Sequence, residues 1–321
     1  MSDPAYHLRP NKAVDRFAFI EAIKFLQKLN VNLEKYTYYG LGGPYLEDMR
    51  LIYENYPKIS MISIEEMDRV FKRQKFHKPC GTLKLIKAKS KEFIAQYESK
   101  NKKSIFWLDY TELHYPCFQD FFVLLQKVAQ GSMIKITLRA NPADYIGETD
   151  EIKEKYAQQF REEFATILPH PERDPPRTIG ELADTIQKMI QRMAQQSLSA
   201  TTSPLTFYPV SSFYYTDGTG IFTLTGVVWP RNDKPAIEKA FNKWEFANLN
   251  WGSPTKIAIP SLSTKERLKL QKYLPCRNFR GTTLRRALGY SIEETEPKTI
   301  LALEQYAKFH RYFPYFLRGI P

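Results

Sequence analysis

Three glycines in a four-residue turn, two well-spaced carboxylates and one histidine carry the chemistry that can be read from this chain. Gly40-Leu41-Gly42-Gly43 follows the aromatic segment Tyr36–Tyr39. Glycine has no Cβ and tolerates positive φ, so such a turn brings backbone close to a bound molecule. Glu65 stands 22 positions after Gly43, near the interval of about 20 at which an acid accepts hydrogen bonds from ribose hydroxyls. Asp109 ends the apolar run Ile105-Phe106-Trp107-Leu108, which would deliver it to the carboxyl edge of a parallel sheet, where ligands of open α/β sheets gather. Tyr110 and His114 follow in the same loop. With Asp109 they are the candidates for a group that takes or holds a proton. Pro44 suits the first position of a helix, and Glu47 and Asp48 favour its positive end. Those acids also make a pyrophosphate unwelcome there, which counts against a dinucleotide.

Strand ends must line up for these residues to meet. Strands are expected at Tyr36–Tyr39, Met61–Ile64, Leu83–Ala88, Ile105–Leu108 and Met133–Leu138. Helical spacing marks Tyr45–Tyr56, Met67–Phe76, Glu92–Glu98 and Phe118–Val128 between them, after an opening helix Ala13–Leu29. That alternation predicts an α/β fold with a Rossmann-like, mostly parallel sheet. Residues 149–200 break the rhythm as an inserted helical hairpin, its second helix opened by a capping box of Thr178 and Glu181. Phe207–Thr216 and Gly220–Trp229 flank Asp217-Gly218, a strong hairpin signal. The sheet should therefore have about seven strands and end in an antiparallel pair.

The expected organisation is an N-terminal helix over 1–30, a cofactor-binding core over 31–148 and 201–230, the insertion, and a mainly helical extension over 231–321. In that extension Ser263 and Glu266 form a second capping box, and Pro297 is expected to open a last helix ending near Arg311. The aromatic series Tyr306, Phe309, Tyr312, Phe313, Tyr315 and Phe316 has helical spacing and reads as core packing.

Composition narrows the class of protein. Cys80, Cys117 and Cys276 are isolated and odd in number, which argues against a disulfide framework and a zinc site and favours a reducing cytoplasm. No apolar run approaches the ~18 residues of a membrane span. A formal net charge of +12 over 321 residues makes polyanions, nucleic acid first among them, the natural partners. The basic segment 265–286, with Lys265, Arg267, Lys269, Lys272, Arg277, Arg280, Arg285 and Arg286 against Glu266, is the expected phosphate-tracking surface. The lysines between Lys84 and Lys103 read as a solvated face.

Tyr39-Gly40-Leu41-Gly42-Gly43-Pro44, Ser63-Ile64-Glu65, Leu108-Asp109-Tyr110 and the hairpin at Asp217-Gly218 resemble the Rossmann-fold S-adenosylmethionine-dependent methyltransferases over residues 36–229, roughly 60% of the chain. More narrowly, the chain looks like a group of bacterial proteins described as O-methyltransferases. The resemblance implies S-adenosylmethionine as cofactor. It places Gly40, Leu41, Gly42 and Gly43 against the methionine part, Glu65 on the ribose and Asp109 at the edge of the transfer site. Two departures stand out: tyrosines occupy the position of the usual acid before Gly40, and Ala88-Lys89-Ser90 lacks the acid that often meets adenine. The methyl acceptor stays open between nucleic acid and a small molecule. A non-catalytic binding module on the same fold is the alternative, and an NAD-dependent oxidoreductase is weaker because Gly-x-Gly-x-x-Gly is absent.

Overall fold

A computed structural model describes residues 9–99, 101–145, 150–199, 204–275 and 280–313. In chain order the elements are α1 (Pro10–Leu26), β1 (Thr37–Gly40), α2 (Glu47–Asn55), β2 (Ser60–Glu65), α3 (Asp68–His77), β3 (Lys84–Lys87), α4 (Ser90–Gln96), β4 (Ser104–Asp109), α5 (Tyr115–Lys127), β5 (Met133–Arg139), α6 (Asp150–Phe164), α7 (Ile179–Ser199), β6 (Leu205–Thr216), β7 (Gly220–Pro230), α8 (Lys234–Phe241), β8 (Thr255–Lys256), α9 (Thr264–Gln271), α10 (Gly281–Leu288) and α11 (Glu296–Phe309). The strands form one sheet in the order β3-β2-β1-β4-β5-β7-β6-β8. β1 to β5 pair in parallel and β7 runs antiparallel to β5. The expected mostly parallel sheet with an antiparallel end is therefore what forms. It has eight strands rather than about seven, because Thr255–Lys256 adds a two-residue strand too short to leave a sequence period.

The chain divides into two compact units, Phe19–Tyr214 with Gly218–Thr255, and 1–18 with Tyr215–Asp217 and Lys256–Pro321. The larger unit contains the strands that position the site. One face of its sheet packs Phe106, Leu108, Ile134 and Ile136 against Phe118, Phe121 and Leu124 of α5 and Ile186, Met189 and Ile190 of α7. Fully burying each such side chain stabilises the fold by about 1.5–3 kcal/mol, so α7 is part of the core although it arrives by insertion. The capping box forms at its start, with Glu181 N donating to Thr178 Oγ1 (3.2 Å) and Thr178 N to the Glu181 carboxylate (3.0 Å). On the other face Phe19 meets Trp107 edge-on at 5.3 Å, and Phe25 stacks on Phe241 and Trp244. That face is also partly polar: buried Lys135 donates to Thr223 Oγ1 at 2.6 Å and lies 4.9 Å from the Trp107 ring, while Trp107 Nε1 donates to Thr137 Oγ1.

In the smaller unit, Leu270, Leu284, Leu288, Leu303 and Tyr306 pack α9, α10 and α11 together. Asn11 Nδ2 and the Lys12 backbone amide, in the first turn of α1, both donate to the Asp217 carboxylate at 2.8 Å, and the second of these bonds satisfies a helix-start donor that has no partner within the helix. The Ser263–Glu266 capping box is present. Pro297 falls at the second position of α11 rather than the first, behind the Thr295 cap. Tyr306, Phe309, Tyr312 and Phe313 are buried as core; Tyr315 and Phe316 lie outside the described residues. Among the described residues no helix is long and apolar enough to cross a membrane.

Candidate functional site

Parallel register places the sequence-predicted residues together. Gly40, the last residue of β1, is level with Ser63 on β2 and with Trp107 on β4. Glu65 and Asp109 each lie two residues further along those flanking strands, so both point to the same sheet face as Gly40's missing side chain. With strands about 4.8 Å apart, the two acids stand roughly 10 Å from each other across the end of β1, a span suited to a nucleoside between them.

The glycine turn is shaped by close approach and not by backbone sign. None of Gly40, Gly42 and Gly43 has positive φ; the left-handed residue is Leu46, at φ 53°, where it precedes α2. The helix thus begins at Glu47, and Pro44 sits in the turn before it instead of opening the helix. A Cβ on Gly40 would come within 2.8 Å of Asp48 Oδ2, and one on Gly42 within 2.8 Å of Ser63 Oγ and 2.9 Å of Leu46 Cδ2. A Cβ on Gly43 would meet nothing within 4 Å. Gly40 and Gly42 are packed from behind, while Gly43 is exposed on the open side.

That asymmetry predicts opposite outcomes for neighbouring substitutions. Gly42→Ala should cost about 1–3 kcal/mol by overpacking. Gly43→Ala should change stability by no more than about 0.5 kcal/mol yet weaken a ligand lying on the turn. Thermal melts paired with ligand titration separate the two, and equal melting temperatures for both variants would contradict the packing described.

Gln74 holds the turn in place and was missed in the sequence. It is fully buried on α3, donates through Nε2 to the Gly42 carbonyl, and lies 3.3 Å from Ser63 Oγ, which donates to its Oε1. Gln74→Met keeps the volume but leaves the carbonyl and the hydroxyl without this partner, for an expected loss of about 1–3 kcal/mol. Unchanged denaturant midpoints would refute that role.

Glu65 is half-buried, and its Oε1 accepts from the Met67 amide at 2.7 Å. Burial raises its carboxyl above the ordinary range, partly offset by that hydrogen bond. A desolvated carboxylate at a strand end is stabilised by any donor pair a ligand brings. Leu41, Ile64, Phe93 and Leu108 pack together beside the turn, on the α4 side of the sheet, and leave no room between them for a water molecule.

A family model described as "Putative O-methyltransferase" matches residues 4–320. The chain belongs to that family. Its sheet order also bears out the Rossmann-type methyltransferase fold expected from the turn, the two acids and the hairpin. Among solved structures the chain is similar to Trm1 from Pyrococcus horikoshii, solved with S-adenosyl-L-methionine, at 10% identity and TM-score 0.49, covering 74% of this chain and 59% of that one. It is also similar to the plantazolicin methyltransferase BamL, solved with a triazolic desmethylPZN analog and SAH, at 13% identity and TM-score 0.39, covering 69% of this chain and 87% of that one. The chain thus spans less than two thirds of the length of the first of these. No curated protein matches the sequence.

At this candidate site, the three candidates for proton handling have different surroundings. Asp109 ends β4 at the sheet edge, half-exposed, in register with Thr137. Tyr110 points to the opposite face, where its hydroxyl donates to Asp120 Oδ2 at 2.8 Å beside a second donor, Ser90 Oγ. Burial, and then the Asp120 charge, hold its phenol well above the ordinary range, so it stays protonated and fastens the β4 end to α5. His114 precedes α5 on the surface, with Nδ1 3.0 Å from Glu163 and Nε2 3.4 Å from Glu112. Nearby Cys117 is buried and its thiol is pushed up to about 12, which leaves it a poor nucleophile. The Asn141-Pro142 turn closes on itself, with Asn141 and Arg139 both donating to Asp144. Among the described residues no group of three potential metal ligands comes together.

Proposed function

We propose that this chain transfers the methyl group of S-adenosylmethionine to an oxygen acceptor, with the cofactor lying on Gly40–Gly43 between Glu65 and Asp109. The observation that carries this reading is the register that puts both carboxylates on one face, two residues past the level of Gly40. When bound, the sulfonium supplies an electrophilic methyl carbon, so the protein has mainly to align an acceptor with it. Glu65 accepts from the ribose hydroxyls, which replace the water its burial removes. The open side of Gly43 admits the methionine part. Asp109 receives the proton of the acceptor hydroxyl; Tyr110 acts only by fixing the strand end that carries it.

For the acceptor we propose a nucleic acid or a small hydroxyl compound. Supporting a polyanion, Lys265, Lys269, Lys272, Arg280 and Arg286 in the basic segment 265–286 are exposed. Arg267 is turned inward over the Phe313 ring at 3.8 Å and Arg285 is paired with Glu296, so they add less to such a surface; Arg277 lies outside the described residues. Free thiols at Cys80 and Cys117 support a cytoplasmic setting.

Mass spectrometry of ligand retained through purification, then calorimetric titration with S-adenosylmethionine and a labelled-methyl transfer screen over tRNA, DNA and lysate fractions, tests the reading. Saturable binding with transfer supports it. No binding overturns it, and binding without transfer favours a non-catalytic module.

A further inference from the structure

β3 is the last strand at one side of the sheet, and the chain leading into and out of it is free of acids. From Arg69 to Lys91 there is no Asp or Glu, while the same segment carries nine lysines and arginines. Lys75, Lys84, Lys87, Lys89 and Lys91 are all exposed. Asp68, just before this run, is shared by Lys72 and Lys87. Lys84, Lys89 and Lys91 have no carboxylate partner among the described residues.

Lysines on an edge strand also discourage pairing with another sheet, and that would account for Lys84 and Lys87. It does not account for Phe76. This ring is 86% exposed at the end of α3. Phe76 also belongs to a row. Its ring lies 5.1 Å edge-on from His77, and His77 lies 5.1 Å from Tyr45, two residues past Gly43. Arg73 donates to the Tyr45 hydroxyl at 2.6 Å and covers that ring at 4.7 Å. The aromatic row therefore runs from the glycine turn outward onto the basic edge.

We infer that the α3–β3–α4 edge binds single-stranded nucleic acid, with Phe76 stacking on an unpaired base and the flanking lysines following the phosphates. A basic groove interleaved with exposed aromatics is the general solution for unpaired strands, because every base offers a π face whatever its sequence. Duplex bases are already stacked on one another and offer Phe76 no face, so the single strand is the favoured form. The row ending at Tyr45 would lead that strand toward the proposed transfer site, and in this respect the inference rests on the methyltransferase reading and narrows its acceptor to nucleic acid.

The test is fluorescence anisotropy with a labelled 20-mer of single-stranded RNA, the same length of single-stranded DNA, and the matching duplex, across a salt series, on the full chain without cofactor. Wild type should bind the single strands more tightly than the duplex. Phe76→Ala should weaken single-strand binding by at least about fivefold, the lower end for one stacked base, and leave duplex binding unchanged. A triple change of Lys84, Lys87 and Lys89 to Gln should flatten the log–log salt slope by about 2, at roughly 0.7 per lost phosphate contact. Calorimetry with S-adenosylmethionine on the same Phe76→Ala protein should match wild type, which keeps failure of the surface distinct from failure of the cofactor site. No single-strand binding at low salt, binding indifferent to Phe76→Ala, or preferential binding to anionic phospholipid vesicles would each overturn the inference.

Discussion

Glu65→Ala should weaken S-adenosylmethionine binding by about two to four orders of magnitude, to the edge of calorimetric detection or beyond it. A carboxylate accepting from two ribose hydroxyls makes two charge-assisted hydrogen bonds, each contributing about 1.5–3 kcal/mol. Burial has already paid to desolvate this carboxyl, as its raised pKa records, so the fold itself should tolerate the change. The same shift gives a pH signature. Hydroxyl donors bind the ionised form, so affinity is full above the raised pKa of the free protein and declines as pH falls through it. Below that point the loss approaches tenfold per unit. The midpoint should lie above the ordinary glutamate value, and Glu65→Gln should bind weakly with no such acid limb. Unaltered affinity in Glu65→Ala would remove the carboxylate from the site.

Asp109→Asn should leave the fold intact and lower kcat for methyl transfer by about 10²–10⁴-fold, the usual contribution of a positioned general base. The acceptor hydroxyl must lose its proton as the new bond forms. Asp109 is the carboxylate at the β4 end on the same face as Glu65, whereas Tyr110 is kept protonated against Asp120 and His114 is flanked by Glu112 and Glu163. His114→Ala should therefore cost less than tenfold. Single-turnover transfer from prebound cofactor measures the step directly. A large loss in His114→Ala with none in Asp109→Asn would reverse the assignment.

Much of the geometry of the candidate site was legible because strand ends announce themselves. An apolar run that stops at an acid or a glycine, as at Ile105–Asp109 and Tyr36–Gly40, marks both the strand and the edge to which it delivers its last residue. Gln74 and Asp120 were invisible for the converse reason. A polar residue on an amphipathic helix is by default solvent-facing, and only the meeting of α3 with the turn, or of α5 with the β4 end, makes it a buried partner. The start of α2 was misread because Pro44 is a good first helical residue, whereas a leucine in the left-handed region leaves no local signature. The lysines of 84–91 gave no sign that they border an edge strand. Their spacing looks like that of any solvated face until β3 is seen to have a neighbour on one side alone.

Leu46 gives the turn a further property. A left-handed leucine costs about 1–2 kcal/mol, yet its side chain is almost wholly buried, behind the place where a Gly42 Cβ would stand. Core packing, together with Gln74, thus fixes the shape of the loop through contacts within the protein. If the cofactor lies on this turn as proposed, little of its binding free energy goes to selecting the loop conformation from a wider ensemble.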